Sequence, residues 1–259
     1  MKISLENKKT IVCGSTQGIG YAIAKNFSEI GAKVTLIARN EKKLKKTIDS
    51  LSGNGHDFIT ADFSNPKELE KKINAKKIDK NYYSILVNNT GGPPPGKISN
   101  IKNEEFLDSI NKHLICNHLL FRAVYNNMKK NSFGRIINII STSVKEPIPN
   151  LGLSNTTRGA VASWSKTLSK EVGKYGVTVN NILPNSVNTS RLRNLFKTIS
   201  KNENTSYLKI KKKWIQDIPV GRIAEPEEIA YLATFLASEY ANYINGVNLP
   251  IDGGKINSF

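Results

Sequence analysis

The sequence predicts an α/β protein, a doubly wound parallel sheet folded as one domain. Three observations carry this. Short apolar, β-branched runs alternate with longer segments of helical periodicity, the pattern of a parallel sheet covered by helices on both faces. A glycine-rich turn, Gly14-Ser15-Thr16-Gln17-Gly18-Ile19-Gly20, follows the first run and opens the first helical pattern. The runs end in polar or turn residues, Gly14, Asp62, Asn88, Ser141 and Pro184, and ligands of such sheets sit at the carboxyl ends of strands.

The elements follow in order. Thr10 to Gly14 (TIVCG) reads as a strand, and YAIAKNFSEIGA after the glycines as a helix. Lys33 to Ala38 (KVTLIA) is a second strand, ending in Arg39-Asn40. Residues 56 to 61 read as a strand ending at Asp62, 65 to 77 as a lysine-rich helix, and Tyr83 to Val87 as a strand ending at Asn88-Asn89. A long helix is expected over 103 to 130, a strand from Arg135 to Ile140, a helix from 154 to 174 and a strand from Val177 to Leu183.

The glycine spacing is G-x-x-x-G-x-G. Glycines let the backbone turn sharply and approach a pyrophosphate, while the free N–H groups and dipole of the helix start favour the anion. A glycine triplet also serves ordinary turns, so the end of the next strand adds weight. Folds of this kind place there an acid for a ribose 2′-hydroxyl or a cation for a 2′-phosphate. The chain has Arg39 and no Asp or Glu, which points to NADP(H), with NAD(H) as the alternative cofactor and a solvated strand-end arginine as the alternative reading.

The ordered motifs resemble the short-chain dehydrogenase/reductase family, in particular the branch similar to 3-oxoacyl-acyl-carrier-protein reductase. They run through almost the whole chain: GSTQGIG at 14–20, ADF at 61–63, NNTG at 88–91, GRIINIIS at 134–141, GVTVNNILPNSVNT at 176–189, PVGRIAEPEEIA at 219–230 and FLASEYANYINGVNLPIDGG at 235–254. The resemblance implies a Rossmann fold over 1–259 with a helical substrate lid at about 190–218, and an oxidoreductase assembled as a tetramer or dimer. It implies that Gly14, Ser15, Gly18, Ile19 and Gly20 hold the pyrophosphate and that Asp62 and Phe63 flank the adenine. Asn88 would stabilise the central strand near the ribose, and Pro184, Val187 and Thr189 would cover the nicotinamide.

The family's proton chemistry uses a serine, a tyrosine, a lysine four residues later and an asparagine on the preceding helix. An ungapped alignment from Ser141 puts Ser154 at the tyrosine position and Arg158 at the lysine position, and His113, in INKHLICN, occupies the asparagine position. No tyrosine lies between Tyr125 and Tyr175, so a small shift of register restores nothing. A phenol beside a cation can approach neutrality in pKa, whereas an aliphatic hydroxyl is far less acidic. General acid–base catalysis supplies about 10² to 10⁴ in rate. Three readings compete: His113 supplies the proton; Arg158 and Ser141 stabilise an oxyanion while water supplies it; or the chain binds nucleotide as an inactive pseudoenzyme.

Ser154 and Arg158 are four residues apart and share a helix face. Arginine keeps its charge and offers a fork of donors, so it can grip a ribose or an anionic substrate without being a proton source. His113 as a packed residue and Arg158 as a surface charge are the plain alternatives. Asn185 stands where the family usually has glycine, and asparagine tolerates left-handed backbone. Pro93-Pro94-Pro95 between glycines makes a stiff loop expected at the rim of the site, or a simple turn.

Over 190–218, Arg191, Arg193, Lys197, Lys201, Lys209 and Lys211 to Lys213 interleave with Phe196, Tyr207 and Trp214. Such a lid fits a small or carrier-linked anionic substrate, and equally a solvated helix pair. Net charge is +17 and pI about 9.7. The lysines are scattered through every helix, so no specific nucleic-acid partner is expected. Cys13 and Cys116 fall in a strand and a helix, and with three histidines they give no metal spacing. No apolar run is long enough to cross a membrane and the start MKISLENKK lacks an apolar signal core, so a cytoplasmic protein is expected.

Overall fold

The computed structural model describes residues 2–258; of the expected span, Met1 and Phe259 lie outside the described residues. The strands are β1 (Lys9–Cys13), β2 (Lys33–Ala38), β3 (Asp57–Thr60), β4 (Ile85–Asn88), β5 (Gly134–Ile139), β6 (Val177–Pro184) and β7 (Asn248–Ile251). They form one sheet in the order β3-β2-β1-β4-β5-β6-β7, with parallel pairing throughout. The helices are α1 (Gly18–Glu29), α2 (Glu41–Asp49), α3 (Pro66–Ala75), α4 (Asn103–Ile110), α5 (Cys116–Lys130), α6 (Gly152–Val172), α7 (Ser190–Asn202), α8 (Tyr207–Gln216) and α9 (Pro226–Ala237).

Because side chains alternate along a strand, each strand feeds two cores. Val12, Val34 and Leu36 face one side, where they pack with Ile23 and Phe27 of α1 and Ile229, Ala233 and Leu236 of α9. Ile11, Cys13 and Ile37 face the other, against Leu69 and Ile73 of α3, Leu120 and Val124 of α5 and Leu168 of α6. The strand order reverses between β1 and β4, which leaves a crevice at their carboxyl ends.

One polar feature crosses this apolar sheet. Asn88, Asn138, Asn181 and Asn248 are register partners on β4, β5, β6 and β7. The Asn88 amide donates to Asn138 Oδ1 at 2.8 Å. Asn138 Nδ2 donates to Asn181 Oδ1 at 2.9 Å and to Ser165 Oγ on α6 at 2.8 Å. Asn181 Nδ2 donates to Asn248 Oδ1 at 2.7 Å. Each amide presents a donor and an acceptor, so a slip of one residue on any strand would leave buried amides unpaired.

The expected long helix over 103–130 is interrupted. A π-helical turn at Asn111–Ile115 joins α4 to α5, with the Cys116 N–H bonded to the Asn111 carbonyl. The extra residue in the turn changes which face His113 presents, and His113 is fully buried. The helix expected at 154–174 starts and ends two residues earlier, at Gly152 and Val172. α2 has no counterpart in the sequence reading; Leu44 and Thr47 are its buried residues and Asn40 caps it by accepting from the Lys43 N–H.

Replacing Asn138 by Ala strands the buried Asn88 amide and removes a donor from Asn181 and Ser165. Urea unfolding should show a loss of about 2–4 kcal/mol; a change below about 0.5 kcal/mol would mean that the row does not hold the register.

Candidate active site

Gly14 ends β1 and Asn88 ends β4, and the loops that leave them are stitched together. Asn89 Nδ2 donates to the carbonyls of Cys13 at 3.2 Å and Gly14 at 3.4 Å. Space here is tight enough to require glycine. A Cβ on Gly14, whose φ is +58°, would lie 2.4 Å from the Asn89 carbonyl oxygen, and one on Gly20 would lie 2.3 Å from the Gly14 oxygen. Gly18, at φ +56°, faces the Thr189 side chain, so the glycine turn and the β6 loop meet across the crevice.

A pyrophosphate fits this turn. α1 begins without a side-chain cap and without an acid in its first turn, so its first N–H groups are unclaimed by side chains. The Ser15 hydroxyl is buried with no hydrogen-bond partner among the described residues. Ile19 packs at the edge of the core beneath the turn.

At the other end of this groove Arg39 follows β2 with its side chain 73% exposed, and its Nη1 lies 3.8 Å from Asp62 Oδ2. A surface pair at that distance holds the guanidinium weakly and leaves it free for a ligand. Partial burial opposes ionisation of Asp62, but the Ser64 amide and hydroxyl and the charges of Arg39 and Lys112 keep its carboxyl below the usual range. Phe63 is turned inward: its side chain is buried against the α3 and α5 core and its carbonyl accepts from the Cys116 thiol. What it offers an adenine is therefore backbone, not a ring.

Asn88 is buried, and its Oδ1 is without a partner among the described residues while its amide holds Asn138. Pro184 ends β6 and Val187 is buried in the loop that follows, paired with Ala224. Thr189 caps α7, its hydroxyl accepting from the Leu192 N–H. Asn185 is not among the residues with positive φ, so the turn at this usual glycine position uses ordinary backbone. Its amide instead donates to Thr142 Oγ1 at 2.8 Å and ties the β5 and β6 loops together.

Ser141, Ser154, Arg158 and His113 come to the same end of the sheet. The Ser141 oxygen accepts from the Ser143 N–H at 3.1 Å, which leaves its proton to donate. Ser154 and Arg158 are both about 6% exposed on the inner face of α6. The Arg158 guanidinium donates to the carbonyls of Ile139 at 3.3 Å and Thr90 at 3.4 Å. Burial, and then the charge of Arg191, pull its pKa down to about 9, so it remains a cation at neutral pH. No carboxylate pairs with it among the described residues.

His113 differs from a histidine with an ordinary pKa near 6.5. Its Nδ1 shares a hydrogen with Thr90 Oγ1 at 2.6 Å, and its Nε2 is buried without a partner among the described residues. Burial foremost, then the charges of Arg158, Lys112 and Arg191, push its pKa down to about 2. It is a neutral imidazole throughout the neutral range.

Two residues stand out only in the folded chain. Thr90 joins His113 and Arg158 through its hydroxyl and its carbonyl, and Asn89 braces the glycine turn. The Asn-Asn-Thr-Gly segment after β4 was the available signal, but long-range partners are not legible in it. The polyproline loop is tied to two other segments: Gly96 pairs with the chain at Asn150 and Gly152, and the Pro93 carbonyl accepts from Arg191 at 3.0 Å.

With this geometry in view, residues 14–255 match the family model described as enoyl-(acyl carrier protein) reductase. The chain belongs to the short-chain dehydrogenase/reductase family. It is 33% identical over 97% of its length to the 3-oxoacyl-[acyl-carrier-protein] reductase FabG of Vibrio cholerae, covering 98% of that protein. It is 32% identical over 96% of its length to the FabG of Chlamydia trachomatis, again covering 98% of that protein. Among solved structures, L-sorbose reductase from Gluconobacter frateurii, complexed with NADPH and L-sorbose, superposes with a TM-score of 0.92 at 26% identity over the full length of both chains. Actinorhodin polyketide ketoreductase with NADPH superposes at 0.89, also 26% identical, over 99% of this chain and 100% of that one.

The buried neutral His113 has a consequence for stability. The unfolded chain protonates this residue near pH 6.5 and the folded chain only near 2, so below 6.5 the unfolded state binds the extra proton and stability falls as pH falls. Between pH 7 and pH 5 the chain should lose about 2 kcal/mol more than a His113→Asn variant, compared by urea unfolding. Equal losses in the two would show that His113 titrates normally.

Proposed function

We propose that the chain is an NADP(H)-dependent oxidoreductase that interconverts a carbonyl and a hydroxyl, with Ser154 and Arg158 in place of the family's tyrosine and lysine. The observation that carries this reading is the convergence of the glycine turn, Asn88, Thr189, Ser141 and Arg158 on one crevice, with a cation and no acid at the end of β2. The NADPH bound by solved structures of similar fold supports the cofactor choice.

In this reading Gly14, Ser15, Gly18, Ile19 and Gly20 cradle the pyrophosphate, and Arg39 attracts the 2′-phosphate. Asp62 and the Phe63 backbone flank the adenine. Asn88 Oδ1 faces the ribose, while Pro184, Val187 and Thr189 cover the nicotinamide. NADPH, when bound, supplies a hydride to the carbonyl carbon and becomes NADP⁺.

Ser141 donates to the carbonyl oxygen. Arg158, charged in a site shielded from solvent, stabilises the negative charge that develops on that oxygen, an effect stronger in a buried site than in water. The proton comes from water, handed on by the Ser154 hydroxyl, because His113 is already neutral and Arg158 keeps its own. α7 and α8 form the lid, closed by Trp214, whose indole N–H donates to Ser186 Oγ at 2.7 Å. The substrate class that the FabG relatives favour is a carrier-linked oxoacyl group. A homodimer or tetramer built on the α4–α5 and α6 helices fits the exposed Leu107 and Ile115, at 65% and 38% exposure.

A second reading is a nucleotide-binding pseudoenzyme with a sensing or scaffolding role. It is favoured by a serine, Ser154, in place of a tyrosine one helical turn before Arg158 and by the depressed basicity of His113. Turnover separates the two. With NADPH and a panel of 3-oxoacyl thioesters, the active reading predicts absorbance loss at the nicotinamide band. It also predicts that Arg158→Ala lowers kcat/KM by about 10² or more. Unchanged activity in that variant would remove Arg158 from the mechanism, and NADPH binding without any turnover would favour the pseudoenzyme.

A further inference from the structure

Arg158 has a second cation above it. Arg191 lies in the first turn of α7, two residues after the Thr189 cap, and it is exposed where Arg158 is buried. The two guanidiniums grip the same loop: Arg158 donates to the Thr90 carbonyl and Arg191 to the Pro93 carbonyl. Arg191 lies so close over Gly92 that a Cβ there would come within 2.5 Å of Nη1.

This arrangement is electrostatically unbalanced. Neither arginine has a carboxylate partner among the described residues. The acids nearest the loop, Glu104, Glu105 and Asp108, line a cavity of about 280 Å³ with Pro93 and Pro94, and Asp108 is taken by Lys112 at 2.7 Å. A cation at a helix start is opposed by the helix dipole. Arg193, in the same turn, is anchored by its bond to Asn188 Oδ1 at 2.8 Å and points to a different neighbour. Arg191 makes one bond to a neutral carbonyl and keeps the rest of its fork available. A fork of donors beside a buried second positive charge matches a planar carboxylate, which can accept two parallel hydrogen bonds.

We propose that the crevice takes an oxo acid whose free carboxylate is held by Arg191 at the mouth, above the positive field of Arg158. This rests on the carbonyl-reducing reading above and sharpens it, because the anion then sits on the substrate itself and not on a carrier at a distance. Arg191 is a binding residue in this account and takes no part in the proton or hydride step.

The test uses isothermal titration of the full chain, first free and then loaded with NADP⁺, in which no hydride is available. The probes are 2-oxobutyrate, acetoacetate and the methyl ester of each. At least one acid should bind about tenfold or more tightly than its ester, and Arg191→Gln should erase that preference while leaving the ester unchanged. Arg191→Lys should recover part of it, and Arg193→Gln, which removes the same charge from the same turn, should keep it. Acid and ester binding within twofold of each other in both forms would overturn the proposal. So would an Arg191→Gln variant that weakens NADP⁺ and spares the acid, since Arg191 would then serve the cofactor's phosphates. If NADP⁺ fails to bind at all, the reductase reading falls, while the free-protein titration still decides whether Arg191 holds a carboxylate.

Discussion

Four asparagines on adjacent parallel strands bind each other side chain to side chain, and the crevice depends on that row keeping its register. Asn88, the first of them, ends β4 beside the glycine turn of β1, and Asn181 sits three residues before Pro184 on β6. Hydrophobic burial drives the strands together but specifies their relative heights poorly, because Ile, Leu and Val interchange with little penalty. A buried amide row has one good alignment and many bad ones. It therefore fixes where β4, β5 and β6 stop, and with them where Asn88, Ser141 and Pro184 deliver their loops.

Above this row the site carries charge that no carboxylate among the described residues neutralises. A buried guanidinium is expensive unless it is paired or well hydrogen-bonded, and Arg158 has two long bonds to carbonyls. Sites that hold such an imbalance are disproportionately functional. The neutral imidazole beside it follows first from burial and then from the same field. His113 cannot accept a proton easily in this dry site next to Arg158, and its bond to Thr90 helps to position the loop that both arginines hold. The proposed chemistry is accordingly electrostatic in character and does not turn on a titrating side chain near neutral pH.

The sheet was legible because short, nearly continuous apolar runs such as KVTLIA and GRIINI, set between helical segments, fit strands buried on both faces. The glycine turn was legible from the order of strand, glycines and helix. α2 was not, since nine residues with two large apolar side chains, Leu44 and Ile48, among four lysines carry too weak a stripe. Nothing in INKHLICN announces a π turn, and the Thr90 partner of its His113 lies 23 residues away in the chain. The direction of Phe63 was equally hidden, as a residue just past a strand end can turn to either side. Arg158 and Ser154 were placed by alignment, and burial by tertiary packing then set their electrostatic setting, which no local pattern encodes. Arg191 appeared in the sequence as one member of a basic run; only the loop geometry distinguishes it from Arg193.

The most direct test of the account is a calorimetric titration of the purified chain with NADPH and with NADH in one buffer. The account predicts tight binding of NADPH and binding of NADH weaker by at least about tenfold, with the difference lost in an Arg39→Asp variant. Binding of neither nucleotide would contradict it, because a crevice built from these glycines, this amide row and these arginines would then serve some other ligand.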